Sequence, residues 1–197
     1  MDMNLLYLHG FNSSPSSHKA RVVADWVRRY HPEIRFICPL MPPRPTEAVA
    51  AIDSACDALQ MDARAWRRTL VVGSSMGGFY ATWLAVTHGC AAVLINPAVR
   101  PWLGRDYLLG EQVNFHTGER HLFRQQDIDD FADYGVARID QPERIWVLLQ
   151  TGDEVLDYRH AEDFYTGCKI TVEEGGDHSF QEFERFLPEM IRFGKDA

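Results

Sequence analysis

Short apolar runs recur along the chain at residues 5–8, 35–38, 70–72, 91–95, 145–149 and 170–172, several of them rich in valine and isoleucine. Runs this short, bounded by polar or glycine-containing stretches, predict strands. Between most of them the pattern changes to helical spacing, over 17–30, 46–59, 76–87, 159–166 and 181–193, with Ser17 and Thr46 placed as N-caps of the first two. Strands alternating with helices predict an α/β fold, a doubly wound and mostly parallel six-stranded sheet with helices on both faces. The rhythm breaks twice. One break is a proline-rich loop at 39–45, and the other is a connection of roughly fifty residues between the fourth and fifth strands, far above ordinary loop length. The longer break predicts a small cap inserted at about residues 100–140 of a single domain spanning 1–197.

Composition and charge narrow the class. The 197 residues are 46% hydrophobic and 24% charged, which is ordinary folded material and long enough for a core that needs no disulfide or metal staple. Twenty-eight acidic against twenty basic residues leave a net charge of −8 with no concentrated basic face, which argues against a nucleic-acid partner. Residues 69–99 carry no Asp, Glu, Lys or Arg, a length that can span a bilayer. That run is broken by Gly73, Ser74, Ser75, Gly77, Gly78, His88, Asn96 and Pro97, and it divides into two strands around a helix. Strands buried on both faces of a parallel sheet read as continuous apolar runs, so no membrane insertion is expected. The first residues, MDMNLLYLHGF, have no basic region and too short an apolar run for an export signal. Cys38, Cys56, Cys90 and Cys168 lie far apart without a CxxC pair, so reduced thiols in a cytoplasm are expected.

Ligands of open parallel sheets bind beyond the carboxyl ends of the strands. The segments that follow the strands are 9–13, 73–78, 96–100, 151–154 and 174–178, and they bring a serine, an acid and a histidine to one edge. Gly73-Ser74-Ser75-Met76-Gly77 matches the nucleophile elbow GxSxG, following an apolar strand and opening a helix as that motif requires. Ser74 is in the wrong register, with glycines at −1 and +3. A serine hydroxyl needs a base to take its proton and an acid to hold that base. His178 is the histidine that follows a strand in the right part of the chain. For the acid, Asp153 directly follows the fifth strand and its Gly152 turn. Asp157 is the alternative, able instead to cap the next helix, and Asp177 adjoins the histidine too closely to face it. The oxyanion hole calls for two amides, those of Met76 and, from the loop after the first strand, Phe11. His9 and Gly10 support that loop. The remaining histidines form no HExxH or similar spacing, so neither a metal nor an organic cofactor is expected.

Beyond the elbow, the segments LLYLHGFNSSP, PLMPPRP, VVGSSMGGFYATWLA, INPAVRP, LLQTGDEVLDYRHA and EEGGDHSF resemble the α/β-hydrolase fold and, within it, the small bacterial esterases of the YqiA/YcfP-like family. The resemblance runs over nearly the whole chain. It implies a serine esterase with Ser75, Asp153 and His178 as triad, on a sheet lacking the first two strands of larger relatives. Many α/β-hydrolases write the acid as Gly-x-x-Asp, whereas here Gly152 adjoins Asp153, which keeps Asp157 open. The expected function is hydrolysis of a small acyl ester or thioester. The alternative is a hydrolase-like protein that binds an acyl ligand or a partner without turning it over. Trp102, Leu108, Leu109, Phe115 and Phe123 are candidates either for an acyl pocket or for the cap's own core.

Overall fold

The computed structural model describes residues 3–104, 108–114 and 116–197. Six strands, β1 (Asn4–Leu8), β2 (Arg35–Ile37), β3 (Thr69–Ser74), β4 (Ala91–Ile95), β7 (Ile145–Gln150) and β8 (Lys169–Glu173), form one sheet in the order β2-β1-β3-β4-β7-β8. Every neighbouring pair is parallel. Each of the six expected strands is present, β4 with the expected bounds and the others lengthened or shortened by a residue or two at their ends.

Residue alternation on these strands feeds two cores. Leu5, Tyr7, Leu70, Val72, Val93, Ile95, Trp146 and Leu148 face helices α1 (His18–Tyr30) and α7 (Leu187–Asp196). Leu6, Leu8, Val71, Ala92, Leu94, Val147 and Leu149 face α2 (Pro45–Ala58), α4 (Met76–His88) and α6 (Tyr158–Phe164). A sheet covered on both faces explains why these strands lack polar alternation. Among the described residues no helix is long and apolar enough to cross a membrane.

Three local expectations need correction. Helix α2 begins at Pro45 with Arg44 as its N-cap residue, so Thr46 lies inside the helix. Proline suits the first turn because its missing N–H would be unpaired there anyway. Ser17 does occupy the N-cap of α1, but its side chain makes no capping hydrogen bond. At the carboxyl end, the expected helix over 181–193 starts as a 3-10 turn at Phe183–Phe186 before α7. A short helix α3 (Ala63–Trp66), capped by the Asp62 side chain at 2.7 Å, precedes β3.

The long connection after β4 holds an antiparallel hairpin, β5 (Gly110–Val113) and β6 (Arg120–Phe123), then a short helix α5 (Gln125–Asp129) and a 3-10 turn at Asp130–Tyr134. Phe123, Ile128 and Phe131 are buried in the same core as Phe79 and Tyr80 of α4. Leu108 is buried as well, Trp102 is partly buried against Phe79, and Leu109 is exposed. Phe115 lies outside the described residues.

Candidate active site

The strand register aligns the carboxyl ends, with Leu8 opposite Gly73 and Ser74 opposite Ile95. Immediately beyond β3 the chain turns into α4 at Ser75, whose backbone is strained at φ 55° and ψ −120°. A non-glycine residue held there costs on the order of 1–3 kcal/mol and persists only where its surroundings impose it. Here the Ser75 amide donates to the Ile95 carbonyl at 3.0 Å, and the Ser75 carbonyl accepts from Gly78 and Ala98 at 2.8 and 3.0 Å. The flanking glycines are required by space. A Cβ on Gly73 would stand 2.3 Å from the Gly77 carbonyl oxygen, and one on Gly77 would stand 2.0 Å from that of Leu8.

Three polar side chains meet at this edge. The Ser75 hydroxyl lies 3.0 Å from His178 Nε2, and His178 Nδ1 lies 2.9 and 2.8 Å from the two Asp153 carboxylate oxygens. With its proton on Nδ1, the imidazole donates to Asp153 and presents Nε2 as the acceptor for the serine hydroxyl. The Asp153 side chain is 2% exposed and that of His178 22%. Asp153 also accepts the amides of Val155 and Leu156 at 2.9 and 2.8 Å. Burial raises its carboxyl, but the His178 hydrogen bond and these amides outweigh it and hold the group below the ordinary range.

The rival acids are engaged elsewhere. Asp157 caps α6 by accepting the Arg159 amide at 3.1 Å and pairs with the Arg159 guanidinium, which pulls its carboxyl down to about 2. Asp177 accepts from Gln181 Nε2 at 3.0 Å. Ser74 is buried within the strand end.

Gly10 brings the loop after β1 against the serine, since a Cβ there would stand 3.4 Å from Ser75 Cβ. His9 is buried, with Nδ1 2.9 Å from the Gly10 carbonyl and Nε2 accepting the Met41 amide at 3.0 Å. It therefore ties this loop to the proline-rich segment. Burial depresses its pKa, against the opposing pull of the Gly10 carbonyl. The hairpin braces the same loop from the other side. Asn12 donates to the Gln112 side chain at 3.3 Å, Asn114 donates to the Ser13 carbonyl at 3.0 Å, and Phe11 meets Phe123 edge to face at 5.4 Å between centroids. Arg44 and Asp127, 3.3 Å apart, join the insertion to the proline-rich segment. Among the described residues the Phe11 and Met76 amides have no backbone acceptor; Met76 opens α4, where unpaired amides and the helix dipole favour negative charge.

Sequence reasoning missed the groups that hold the histidine loop. Asn96, buried at the end of β4 with φ 41°, donates to the carbonyls of Asp177 and His178 at 3.0 and 3.2 Å. Its own oxygen accepts the Gln150 amide at 3.0 Å. The buried Gln150 side chain accepts the amides of Asp177 and Gln181 and donates to the Gln181 carbonyl. Glu154, exposed, accepts the His178 amide at 2.9 Å, and Lys19 donates to the Ser179 carbonyl at 2.6 Å. The only advance signal was a polar residue at the carboxyl end of each of two apolar strands.

Comparison with known proteins adds family and fold. The profile of an uncharacterised protein family, UPF0227, matches residues 4–195. UPF0227 proteins of Yersinia enterocolitica and Serratia proteamaculans are each 26% identical over 194 residues, covering 96% of this chain and 97% of theirs. Among solved structures, Est1E of Butyrivibrio proteoclasticus with bound ferulic acid superposes at a TM-score of 0.70 with 13% identity, covering 98% of this chain and 88% of that one. The mouse alpha/beta hydrolase domain-containing protein 10 gives 0.69 at 16% identity over 98% and 88%. The fluorophosphonate-binding serine hydrolase F of Staphylococcus aureus gives 0.60 at 15% identity over 95% and 83%. At these identities the structural likeness establishes the compact α/β-hydrolase fold.

Proposed function

Because the chain belongs to the UPF0227 family and joins a serine, an imidazole and a carboxylate in one hydrogen-bonded series, we propose that it is a serine hydrolase that cleaves carboxylic esters or thioesters through an acyl-enzyme. The observation that carries this reading is the 3.0 Å contact between Ser75 Oγ and His178 Nε2, backed by Asp153 on the other ring nitrogen. A serine pushed into a strained elbow at a helix N-terminus, beside a base in a defined tautomer, is equipped for acyl transfer and has no evident purely structural use.

In this mechanism Ser75 Oγ attacks the acyl carbon as its proton passes to His178 Nε2. Asp153 stabilises the imidazolium without taking the proton. The amides of Phe11 and Met76 receive the oxyanion, a contribution of about 10²–10³ in rate for each such donor. When the tetrahedral intermediate collapses, His178 returns the proton to the departing alcohol or thiol, leaving Ser75 acylated. Water then attacks the acyl carbon while giving a proton to Nε2. The second collapse releases the acid and returns that proton to Ser75. No step requires a metal or an organic cofactor. The insertion at about 100–140 serves as a cap whose hairpin steadies the Phe11 amide. The four free thiols fit a cytoplasmic setting.

A panel of nitrophenyl esters of graded chain length, with a matching thioester, tests the reading. Wild type is expected to turn over at least one of them, and Ser75→Ala to lose that activity by several orders of magnitude. Binding of an acyl ligand with no turnover in either protein would favour the non-catalytic alternative.

A further inference from the structure

A cavity of about 350 Å³, remote from Ser75, lies at the opposite, amino edge of the sheet. Its walls come from segments that enter strands: Arg67 two residues before β3, His88 and Gly89 just before β4, and Gln141 and Arg144 leading into β7. The volume falls in the range of small-molecule sites.

The chemistry of the walls is cationic in a chain whose net charge is −8. Arg144 Nη1 is buried and meets no acceptor among the described residues, an unfavourable state that an incoming acceptor would relieve. Arg67 is a second arginine of the lining, and neither arginine enters an ion pair among the described residues. The one carboxylate of the cavity wall, Asp140, is already engaged by Arg138 at 2.6 Å. Basic groups near a helix C-terminus often serve to neutralise its last carbonyls. Here, with α4 ending at His88, the buried Arg144 nitrogen reaches no such carbonyl. His88, stacked on Trp66 with centroids 4.1 Å apart and rings parallel, forms a rigid flat wall.

We propose that this cavity is a binding site for a small oxoanion, the phosphate or carboxylate group of a metabolite, held between Arg144 and Arg67. Planar guanidinium forks match the paired oxygens of either group. The site is separate from the catalytic edge, and it stands or falls independently of the serine hydrolase reading.

The test titrates inorganic phosphate, sulfate and malonate against the full chain, with potassium chloride at matched ionic strength, and follows the thermal midpoint. Phosphate and sulfate stabilise many proteins without a site, so the decisive features are saturation and dependence on the arginines. Wild type is expected to show a saturable rise with at least one oxoanion. Arg144→Gln should weaken the apparent affinity by about tenfold or more, as for loss of a charge-assisted hydrogen bond. Arg67→Gln, at an exposed position, should weaken it as well and serves if Arg144→Gln does not fold. Ester turnover without added anion should be unchanged in both variants. A response to phosphate and sulfate alone identifies a tetrahedral anion, and a response to malonate identifies a carboxylate. A midpoint that follows ionic strength alone, or a saturable rise that survives in Arg67→Gln and in folded Arg144→Gln, would overturn the proposal.

Discussion

Asn96 is the most informative position to perturb, because it holds the loop that carries His178 through backbone groups alone. Its side chain makes three hydrogen bonds, to the Asp177 and His178 carbonyls and from the Gln150 amide, and is nearly sealed from solvent. In Asn96→Ala the buried Gln150 N–H loses its acceptor, at about 1–3 kcal/mol. The two carbonyls are only partly buried and recover some solvation. Alanine at the left-handed φ of 41° adds roughly 1 kcal/mol more. A total of about 2–4 kcal/mol lowers the thermal midpoint by about 4–16 °C in a chain of this size. Freed at both flanking carbonyls, His178 drifts from Ser75, and a misplacement of about 1 Å costs on the order of 10² in kcat. Asn96→Gly relieves the backbone strain but leaves the hydrogen bonds broken, so it should regain part of the midpoint and little of the activity. Thermal denaturation and ester kinetics on both variants check this. An Asn96→Ala protein with midpoint and kcat both close to wild type would refute the reasoning.

Other outcomes follow from the same geometry. Asp153→Asn should lower kcat by about 10⁴, since the amide cannot hold His178 in the required tautomer, whereas Asp157→Asn should leave ester hydrolysis within a factor of about two because that residue caps α6; paired kinetics decide. His9 has a folded pKa below its ordinary 6.5, so the unfolded chain binds the extra proton first. Its stability contribution is therefore complete above about pH 6.5 and is lost as pH falls through the lower folded value; urea midpoints between pH 7.5 and 5 should decline less in His9→Gln than in wild type. Asp153 is likewise depressed, from an ordinary 3.8, so its contribution is present above that value and lost as pH falls through the lower folded one, a decline that acid denaturation of Asp153→Asn should lack.

The parts of this molecule that could be read in its sequence are those governed by local pattern. The four central strands β1, β3, β4 and β7 announced themselves as apolar runs because both faces of the sheet are covered there, and the edge strands β2 and β8 showed short apolar runs although none of their residues is buried. The serine, histidine and acid could be ordered along the chain because each follows a strand at the same edge. What escaped depends on contacts distant in sequence. The hairpin strands GEQV and RHLF carry little apolar signal and pair only where Phe123 finds Phe11 and Phe131. The start of α2 shifted because Pro45 takes its first turn, which outweighs a possible threonine cap. Asn96 and Gln150 stayed hidden because they bind backbone groups rather than reactive side chains. The partners of Asn96 Nδ2 lie more than eighty residues away in sequence. The choice between Asp153 and Asp157 is open in the sequence, whereas the fold brings Asp153 to His178 and turns Asp157 toward Arg159.

The claim beneath the functional account is that His178 makes the Ser75 hydroxyl nucleophilic, and reaction with a fluorophosphonate probe measures this without knowledge of the substrate. Mass spectrometry of the labelled wild-type protein should find one phosphonyl adduct, on the peptide containing Ser75. Labelling should vanish in Ser75→Ala and slow by orders of magnitude in His178→Ala. A folded wild-type protein that takes up no probe, or one labelled equally well in Ser75→Ala, would contradict it.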